Sequence, residues 1–282
     1  MDQHYLTPLF SPQSIVVFAG DSDQPDSQTA LARALLAGLR NGGFAGTVTH
    51  LDIHMTGTLA DLAQSRADLA LIALPDDQVA AALEVTGRIR CRAALVLSSG
   101  LQAAPCAELL AIAKRHGVHL LGPNSLGFQR PQLKLNASAT GPMAAPGPLA
   151  LISQSGALTS SILDWAQQNS VGFSAVVSLG PNTAVDLPQA LDFLANDAST
   201  KSILVYMEGI RNARRFMSAL RAAAYAKPVV VMKAGRKPAG SKAALTHSAA
   251  IVGSDDVFEA ALRRAGAVRV RLFTQLFSAA KC

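Results

Sequence analysis

A short polar turn in the second half of the chain has the residue types of an anion-binding site. The apolar run Leu149–Ser153 leads into Gln154, Ser155 and Gly156, and a helical pattern follows. A helix entered in this way offers unpaired backbone N–H groups, and its dipole adds roughly half a positive charge at that end. The turn could therefore bind a phosphate group. Ser155 could equally be a plain N-cap of the helix, and the spacing alone does not decide between the two interpretations.

Two further polar side chains follow predicted strands of the same region. Glu208 closes one apolar run, and His247 lies in the loop after the next one. An imidazole nitrogen can act as a nucleophile toward phosphorus, and a carboxylate can orient the ring. Each residue alone also has an ordinary explanation, as a loop histidine and as a solvated charge. Their coincidence at strand ends with the turn at Ser155 predicts a site for phosphoryl chemistry.

The elements that must position these residues alternate between short apolar runs and helical patterns, which is typical of parallel strands joined by crossover helices. The predicted strands are 149–153, 173–179, 202–208, 228–234 and 268–270. The predicted helices are 157–169, 187–196, 212–225 and 255–265. In such a doubly wound sheet, ligands bind at the carboxyl ends of the strands, near the point where the strand order reverses.

The first half of the chain predicts a second doubly wound sheet. Its predicted strands are 14–19, 47–51, 69–74, 93–98 and 119–121, and its predicted helices are 28–40, 77–87 and 105–116. Proline and glycine punctuate residues 129–147 without any periodicity, which indicates a linker. We therefore predict an α/β protein with one domain at 1–128, a linker at 129–147 and a second domain at 148–282.

Four segments of the second half resemble the alpha part of the NDP-forming acyl-CoA synthetases. They are 148–157, 206–209, 246–255 and 265–270. This family includes succinyl-CoA synthetase and ADP-forming acetyl-CoA synthetase, and the resemblance covers nearly the whole chain. It implies a Rossmann-like CoA-binding domain followed by a flavodoxin-like domain of the succinyl-CoA-synthetase type.

The resemblance also implies a phosphohistidine relay. In the family an acyl phosphate forms from acyl-CoA and phosphate, a histidine takes the phosphoryl group, and the histidine passes it to ADP or GDP in an ATP-grasp module. By position, His247 would carry the phosphoryl group and Glu208 would hold its ring. The phosphate would lie against Ser153, Gln154, Ser155 and Gly156. Because the sequence shows no ATP-grasp pattern, ADP and ATP would bind only through a partner subunit or domain.

The first half resembles the CoA-binding domain of the same family through residues 12–20, 68–75, 95–100 and 121–127. The implied contacts with CoA or an acyl-CoA are loop residues that follow strands, namely Gly20, Ser22, Ala73, Leu74, Pro75, Ser98, Ser99, Gly100 and Asn124. The first of these loops also carries Asp21, Asp23 and Asp26. Like charges at close range repel, so we expect these carboxylates to weaken the binding of the CoA pyrophosphate.

An alternative function comes from a second resemblance. Residues 4–12 and 164–168 look like the synthetase-like front half of bacterial protein lysine acetyltransferases, which is often a non-catalytic sensor of acyl-CoA. The presence of His247 favours the ligase, and the acidic first loop favours the sensor.

Composition limits the other classes of function. The 282 residues suffice for two domains. No apolar run approaches the roughly 20 residues that cross a bilayer, and no leader is apparent, so we expect a cytoplasmic protein. Three cysteines without metal-ligand spacing indicate reduced thiols and no metal site. The net charge of +6 could attract a polyanion such as CoA or reflect solvated helix faces, and it does not indicate nucleic-acid binding.

The expected partners are an ATP-grasp subunit or domain, a small carboxylic acid and CoA. A homo-oligomer is a further expectation, because the carboxyl-end face of the second domain should be an interface. We expect exposed apolar surface on that face at 179–185 and 249–252.

Overall fold

The structure is a computed structural model that describes residues 3–20, 28–53, 67–98, 100–180, 184–235 and 255–279. The chain divides into two compact units. The first consists of residues 1–143 with 183–185, and the second of 144–182 with 186–282.

The first unit is built on a parallel five-stranded sheet. Its strands are β1 (Ser14–Phe18), β2 (Thr47–His50), β3 (Leu69–Ile72), β4 (Ala93–Leu97) and β5 (His119–Ser125). They lie in the order β2-β1-β3-β4-β5, so the strand order reverses between β1 and β3. The three central strands are continuous apolar runs because helices cover the sheet, and nearly every residue in them is buried.

Four helices belong to the first unit, namely α1 (Thr7–Phe10), α2 (Ala30–Gly42), α3 (Val79–Arg88) and α4 (Ala103–His116). Helix α2 begins at Thr29, whose Oγ1 accepts a hydrogen bond from the Ala32 N–H at 3.0 Å. It ends at Gly43, whose φ of 78° is the left-handed conformation that glycine adopts most readily. Helices α3 and α4 are joined through Glu84, which contacts Arg115 and lies 2.8 Å from His116 Nε2.

An antiparallel hairpin occupies most of the stretch that the sequence predicts as a linker. Strands β6 (Gly127–Arg130) and β7 (Leu135–Ser138) flank a short 3-10 helix. Inside the hairpin, the Gln129 amide donates to Ser138 Oγ at 3.3 Å and to the Pro142 carbonyl at 3.1 Å. The interior is therefore polar and hydrogen-bonded, which explains why these residues lack apolar periodicity.

The second unit contains five parallel strands, β8 (Pro146–Ser153), β9 (Phe173–Ser178), β10 (Ser202–Met207), β11 (Val229–Lys233) and β12 (Val268–Val270). They lie in the order β12-β11-β10-β8-β9, so the order reverses between β8 and β10. The helices are α5 (Gly156–Gln168), α6 (Leu187–Asn196), α7 (Ala213–Ala226), α8 (Asp255–Ala265) and α9 (Phe273–Ala279).

Helix α5 covers one face of this sheet. It buries Ile162, Leu163 and Ala166, and its Trp165 ring stacks on Phe277 of α9 with ring centroids 4.2 Å apart. The predicted fold class is confirmed, since both units are α/β with doubly wound parallel strands, and the antiparallel hairpin is an addition. Within the described ranges, no helix is long and apolar enough to span a bilayer.

Candidate functional site

The predicted phosphate turn and Glu208 lie together where the strand order of the second unit reverses. Strand β8 pairs with β10, with Ser153 opposite Tyr206. The Gln154 N–H then donates to the Tyr206 carbonyl at 3.1 Å, which is the last backbone hydrogen bond of this pair. Helix α5 starts two residues later, and Glu208 directly follows β10. Crevices at such reversal points are where ligands bind in doubly wound sheets.

The side chain of Gln154 joins the end of β8 to the segment that follows β10. Its Oε1 accepts hydrogen bonds from the backbone N–H groups of Glu208 at 2.6 Å and Gly209 at 3.1 Å. Its Nε2 donates to the Gly209 carbonyl at 3.0 Å. The amide group is thus hydrogen-bonded to the backbone that directly follows β10.

The two serine hydroxyls of the turn form hydrogen bonds with nearby backbone groups. Ser153 Oγ is buried, donates to the Ser155 carbonyl at 2.8 Å and accepts from the Ser155 N–H at 3.1 Å. Ser155 Oγ accepts from the Leu158 N–H at 3.4 Å, so Ser155 is the N-cap of α5. The backbone N–H groups of Gly156 and Ala157 in the first turn are those that such a helix end offers to an anion.

The Glu208 carboxylate affects the pKa of the Tyr206 side chain. Burial raises the pKa of Tyr206, and the negative charge of Glu208 raises it further. Tyr206 therefore remains a neutral hydroxyl beside the carboxylate.

His247 lies outside the described residues, as do Ser22 and Ser99. In the chain, His247 comes after β11, which pairs with β10, the strand that precedes Glu208. The Ala234 N–H donates to the Met207 carbonyl at 2.9 Å, so the residue that directly follows β11 is joined to β10. The described end of β11 therefore lies at the same edge of the sheet as Glu208.

An ion-pair cluster that the sequence did not suggest lies at the start of α8. The Arg269 side chain is 4% exposed and contacts Asp255 at 2.5 Å and Glu259 at 2.7 Å at the start of α8. Burial alone would lower the pKa of Arg269, but the hydrogen bonds and charges of the two carboxylates raise it. Lys233 at the end of β11 is also buried, and burial lowers its pKa.

Two of the predicted CoA loops of the first unit are joined by Asn124. The Asn124 N–H donates to Ser98 Oγ at 3.0 Å. Its Oδ1 accepts from the Leu101 N–H at 2.9 Å, and its Nδ2 donates to the Leu101 carbonyl at 3.0 Å. Ser98 and Asn124 are therefore adjacent at the ends of β4 and β5, and the exposed Gly100 lies in the same loop.

The remaining predicted CoA residues follow β1 and β3, on either side of the reversal point. Thr29 at the start of α2 donates through its hydroxyl to the Ala73 carbonyl at 3.4 Å. Pro75 is exposed, whereas the Leu74 side chain packs in the core. Gly20 is exposed and has a φ of 80°, so a side chain there would strain the backbone.

Gly20 also lines a cavity of about 520 Å³ between α2 and β2. Three basic side chains line it as well, Arg33 and Arg40 from α2 and His50 from β2. None of these three residues is among the site residues predicted from the sequence. The only signal was the spacing of seven residues between the two arginines, which places them on one helix face.

The expectation of exposed apolar surface at 179–185 is wrong at the two large apolar residues that bound this range. Leu179 is fully buried and Val185 is 3% exposed. Residues 249–252 lie outside the described residues.

Comparison with known proteins agrees with this geometry. A family model described as the succinyl-CoA-ligase-like flavodoxin domain matches residues 146–282. This match spans just under half of the chain. The chain is also 33% identical to the alpha subunit of ADP-forming acetate–CoA ligase I from Pyrococcus furiosus, across 98% of this chain and 63% of that subunit.

Two further relatives extend the comparison beyond the succinyl-CoA-ligase-like domain. ADP-forming acetate–CoA ligase I from Archaeoglobus fulgidus is 40% identical across 74% of this chain and 32% of the relative. An acetyl-coenzyme A synthetase 1 from Ca. Korarchaeum cryptofilum, solved with phosphate and ADP, superposes with a TM-score of 0.88 at 30% identity, across 98% of this chain and 61% of that chain. The chain spans less than two thirds of each relative. The recognised similarity to NDP-forming acyl-CoA synthetases is confirmed, and these names favour the ligase over the sensor.

Proposed function

We propose that this chain is the CoA-binding and phosphohistidine-relay part of an ADP-forming acyl-CoA synthetase and that it acts with an ATP-grasp subunit or domain. The observation that carries the proposal is the crevice between β8 and β10. There the N-terminus of α5 and the segment that bears Glu208 are linked through Gln154. A helix end that attracts phosphate beside a carboxylate that can orient an imidazole is the equipment that a phosphohistidine needs.

The first chemical step would form an acyl phosphate. An oxygen of inorganic phosphate attacks the thioester carbonyl of acyl-CoA, the C–S bond breaks, and CoA leaves as the thiol after taking up a proton. The first-turn N–H groups of Gly156 and Ala157 would bind the phosphate oxygens during this step.

The second step would move the phosphoryl group to His247. A ring nitrogen attacks phosphorus, the bond between phosphorus and the acyl oxygen breaks, and the carboxylic acid leaves as its anion. Glu208 would hold the ring and stabilise the positive charge that the imidazole gains. The ATP-grasp partner would then present ADP, whose terminal oxygen takes the phosphoryl group and restores the histidine.

CoA would bind the carboxyl ends of β1, β3, β4 and β5. The residues present fit this group in one respect. Arg33 and Arg40 bring positive charge, and His50 brings an imidazole, to a cavity beside Gly20 that is large enough for part of a nucleotide. Asp21, Asp23 and Asp26 would oppose the pyrophosphate.

Labelled ATP tests the proposal. With γ-labelled ATP and an ATP-grasp partner, we expect acid-labile, base-stable label on this chain, no label in His247→Asn and reduced label in Glu208→Gln. Label that survives His247→Asn would place the chemistry elsewhere. A chain that binds acyl-CoA but never takes label would instead be a sensor.

A further inference from the structure

Gln154 is a buried amide whose hydrogen-bonding capacity is largely used within the protein. The residue is 5% exposed, and its three hydrogen bonds all go to the backbone of Glu208 and Gly209. An amide oxygen has two lone pairs, and both serve backbone N–H groups here. A phosphate accepts hydrogen bonds and donates few, so Oε1 has nothing to offer it. Only the second N–H of Nε2 could contact an anion.

The position of this amide explains why it is needed. The Glu208 and Gly209 N–H groups lie beyond β10, where the ladder with β8 has ended. Buried backbone N–H groups without an acceptor are costly, and a segment without such bonds would be free to move. The Gln154 side chain replaces the missing strand neighbour and fixes the backbone that bears the Glu208 carboxylate.

We propose that Gln154 is a positioning residue, which sets the place of the Glu208 carboxylate relative to the N-terminus of α5, rather than a phosphate ligand. This inference rests on the proposed function of the crevice, because it assigns how one of its residues acts. The two roles differ in what they control. A phosphate ligand would control affinity for phosphate, whereas a positioning residue would control the rate of phosphoryl transfer through Glu208.

The central variant is Gln154→Met, which keeps the length of the side chain and removes all three hydrogen bonds. The matched chemical control is Gln275→Met, because Gln275 Oε1 also accepts from two consecutive backbone N–H groups, those of Arg271 and Leu272, at the far strand of the sheet. Ile162→Val is a stability control, since it truncates a fully buried side chain of α5. Urea unfolding of each protein shows how much folded chain is present at the assay temperature.

The assay is a single turnover with acetyl [32P]phosphate, a probe that requires only the second proposed step. For Gln154→Met we expect at least a tenfold fall in the labelling rate at saturating acetyl phosphate, with the half-saturating concentration changed less than twofold. Gln275→Met and Ile162→Val should label at the wild-type rate. In the Glu208→Gln background, adding Gln154→Met should have little further effect, because both changes act through the same carboxylate.

Hydrogen exchange at the Glu208 and Gly209 amides gives a readout that does not depend on activity. Both amides should exchange faster in Gln154→Met than in the wild type. In Gln275→Met their exchange rates should be unchanged. The positioning role would be overturned if Gln154→Met raised the half-saturating concentration of acetyl phosphate and left the maximal labelling rate unchanged. It would also be overturned if the effects of Gln154→Met and Glu208→Gln on the labelling rate were fully additive. If the wild-type chain takes no label at all, the proposed function has failed. A wild-type chain that labels while Gln154→Met labels equally well would refute this inference alone.

Discussion

Two side-chain amides at strand ends have the same role in the two units. Gln154 binds both the N–H and the carbonyl of Gly209, and Asn124 does the same with Leu101. Each amide joins its own strand end to the segment that follows the neighbouring strand, β10 for Gln154 and β4 for Asn124. These segments carry predicted site residues, so substitution of either amide should have local effects.

Removal of the Asn124 side chain tests this point in the first unit. Asn124 has a φ of 59°, so Asn124→Gly keeps the backbone conformation and deletes both side-chain hydrogen bonds. We expect the free energy of unfolding to fall by about 2 kcal/mol, measured by urea denaturation. Asn196→Ala, which deletes one exposed amide at a helix end, should change it by less than about 0.5 kcal/mol. Equal stabilities of the two variants would contradict the role of Asn124.

His119 predicts a dependence of stability on pH. Burial lowers its pKa, and the positive charges of Arg92 and His4 lower it further. Between the ordinary pKa of about 6.5 and the lower folded value, the unfolded chain binds more protons than the folded one, so stability falls as the pH drops through this window. Urea midpoints from pH 7.5 to pH 5 should show this loss, and the loss should be smaller in His119→Gln. An identical pH profile for both proteins would exclude His119 as its source.

At the scale of elements, the N-terminus of α5 combines a structural cap with the anion site. Ser155 Oγ serves the Leu158 N–H, so Ser155→Ala should lower the free energy of unfolding by about 1 kcal/mol. Phosphate should still bind, because the N–H groups of Gly156 and Ala157 belong to the backbone. Calorimetry with inorganic phosphate should find a change in dissociation constant of less than threefold. A large loss of phosphate binding without a loss of stability would make the hydroxyl itself the ligand.

Most strands and helices could be predicted from the sequence to within a few residues, because continuous apolar runs mark the buried strands and apolar residues at helical spacing mark the helices. The hairpin at β6 and β7 could not, since its buried residues include polar ones such as Gln129 and Asn136.

The site was predictable as a set of strand-end residues. The direction of the Gln154 side chain was not, because it depends on β8 pairing with β10, about 50 residues away. The basic cavity was missed for the same reason, since it joins residues of α2 and β2.

At the scale of the whole molecule, charge is distributed unevenly around the predicted CoA site. The chain carries a net charge of +6, yet Asp21, Asp23 and Asp26 lie in the first predicted CoA loop. Replacement of all three by serine should strengthen CoA binding tenfold or more, since a like-charge pair at close range costs about 1 kcal/mol in water and about 1.4 kcal/mol is a factor of ten. Titration calorimetry at fixed ionic strength measures the change. Unchanged or absent binding in both proteins would remove CoA from the account.

The central claim is that the crevice between β8 and β10 serves a phosphohistidine. The most direct test treats the purified chain with acetyl phosphate and maps the modified peptide by mass spectrometry under alkaline conditions, which preserve phosphohistidine. We expect one added phosphoryl group on His247, absent in His247→Asn and strongly reduced in Glu208→Gln. A phosphoryl group on another residue, or equal modification in Glu208→Gln, would contradict it.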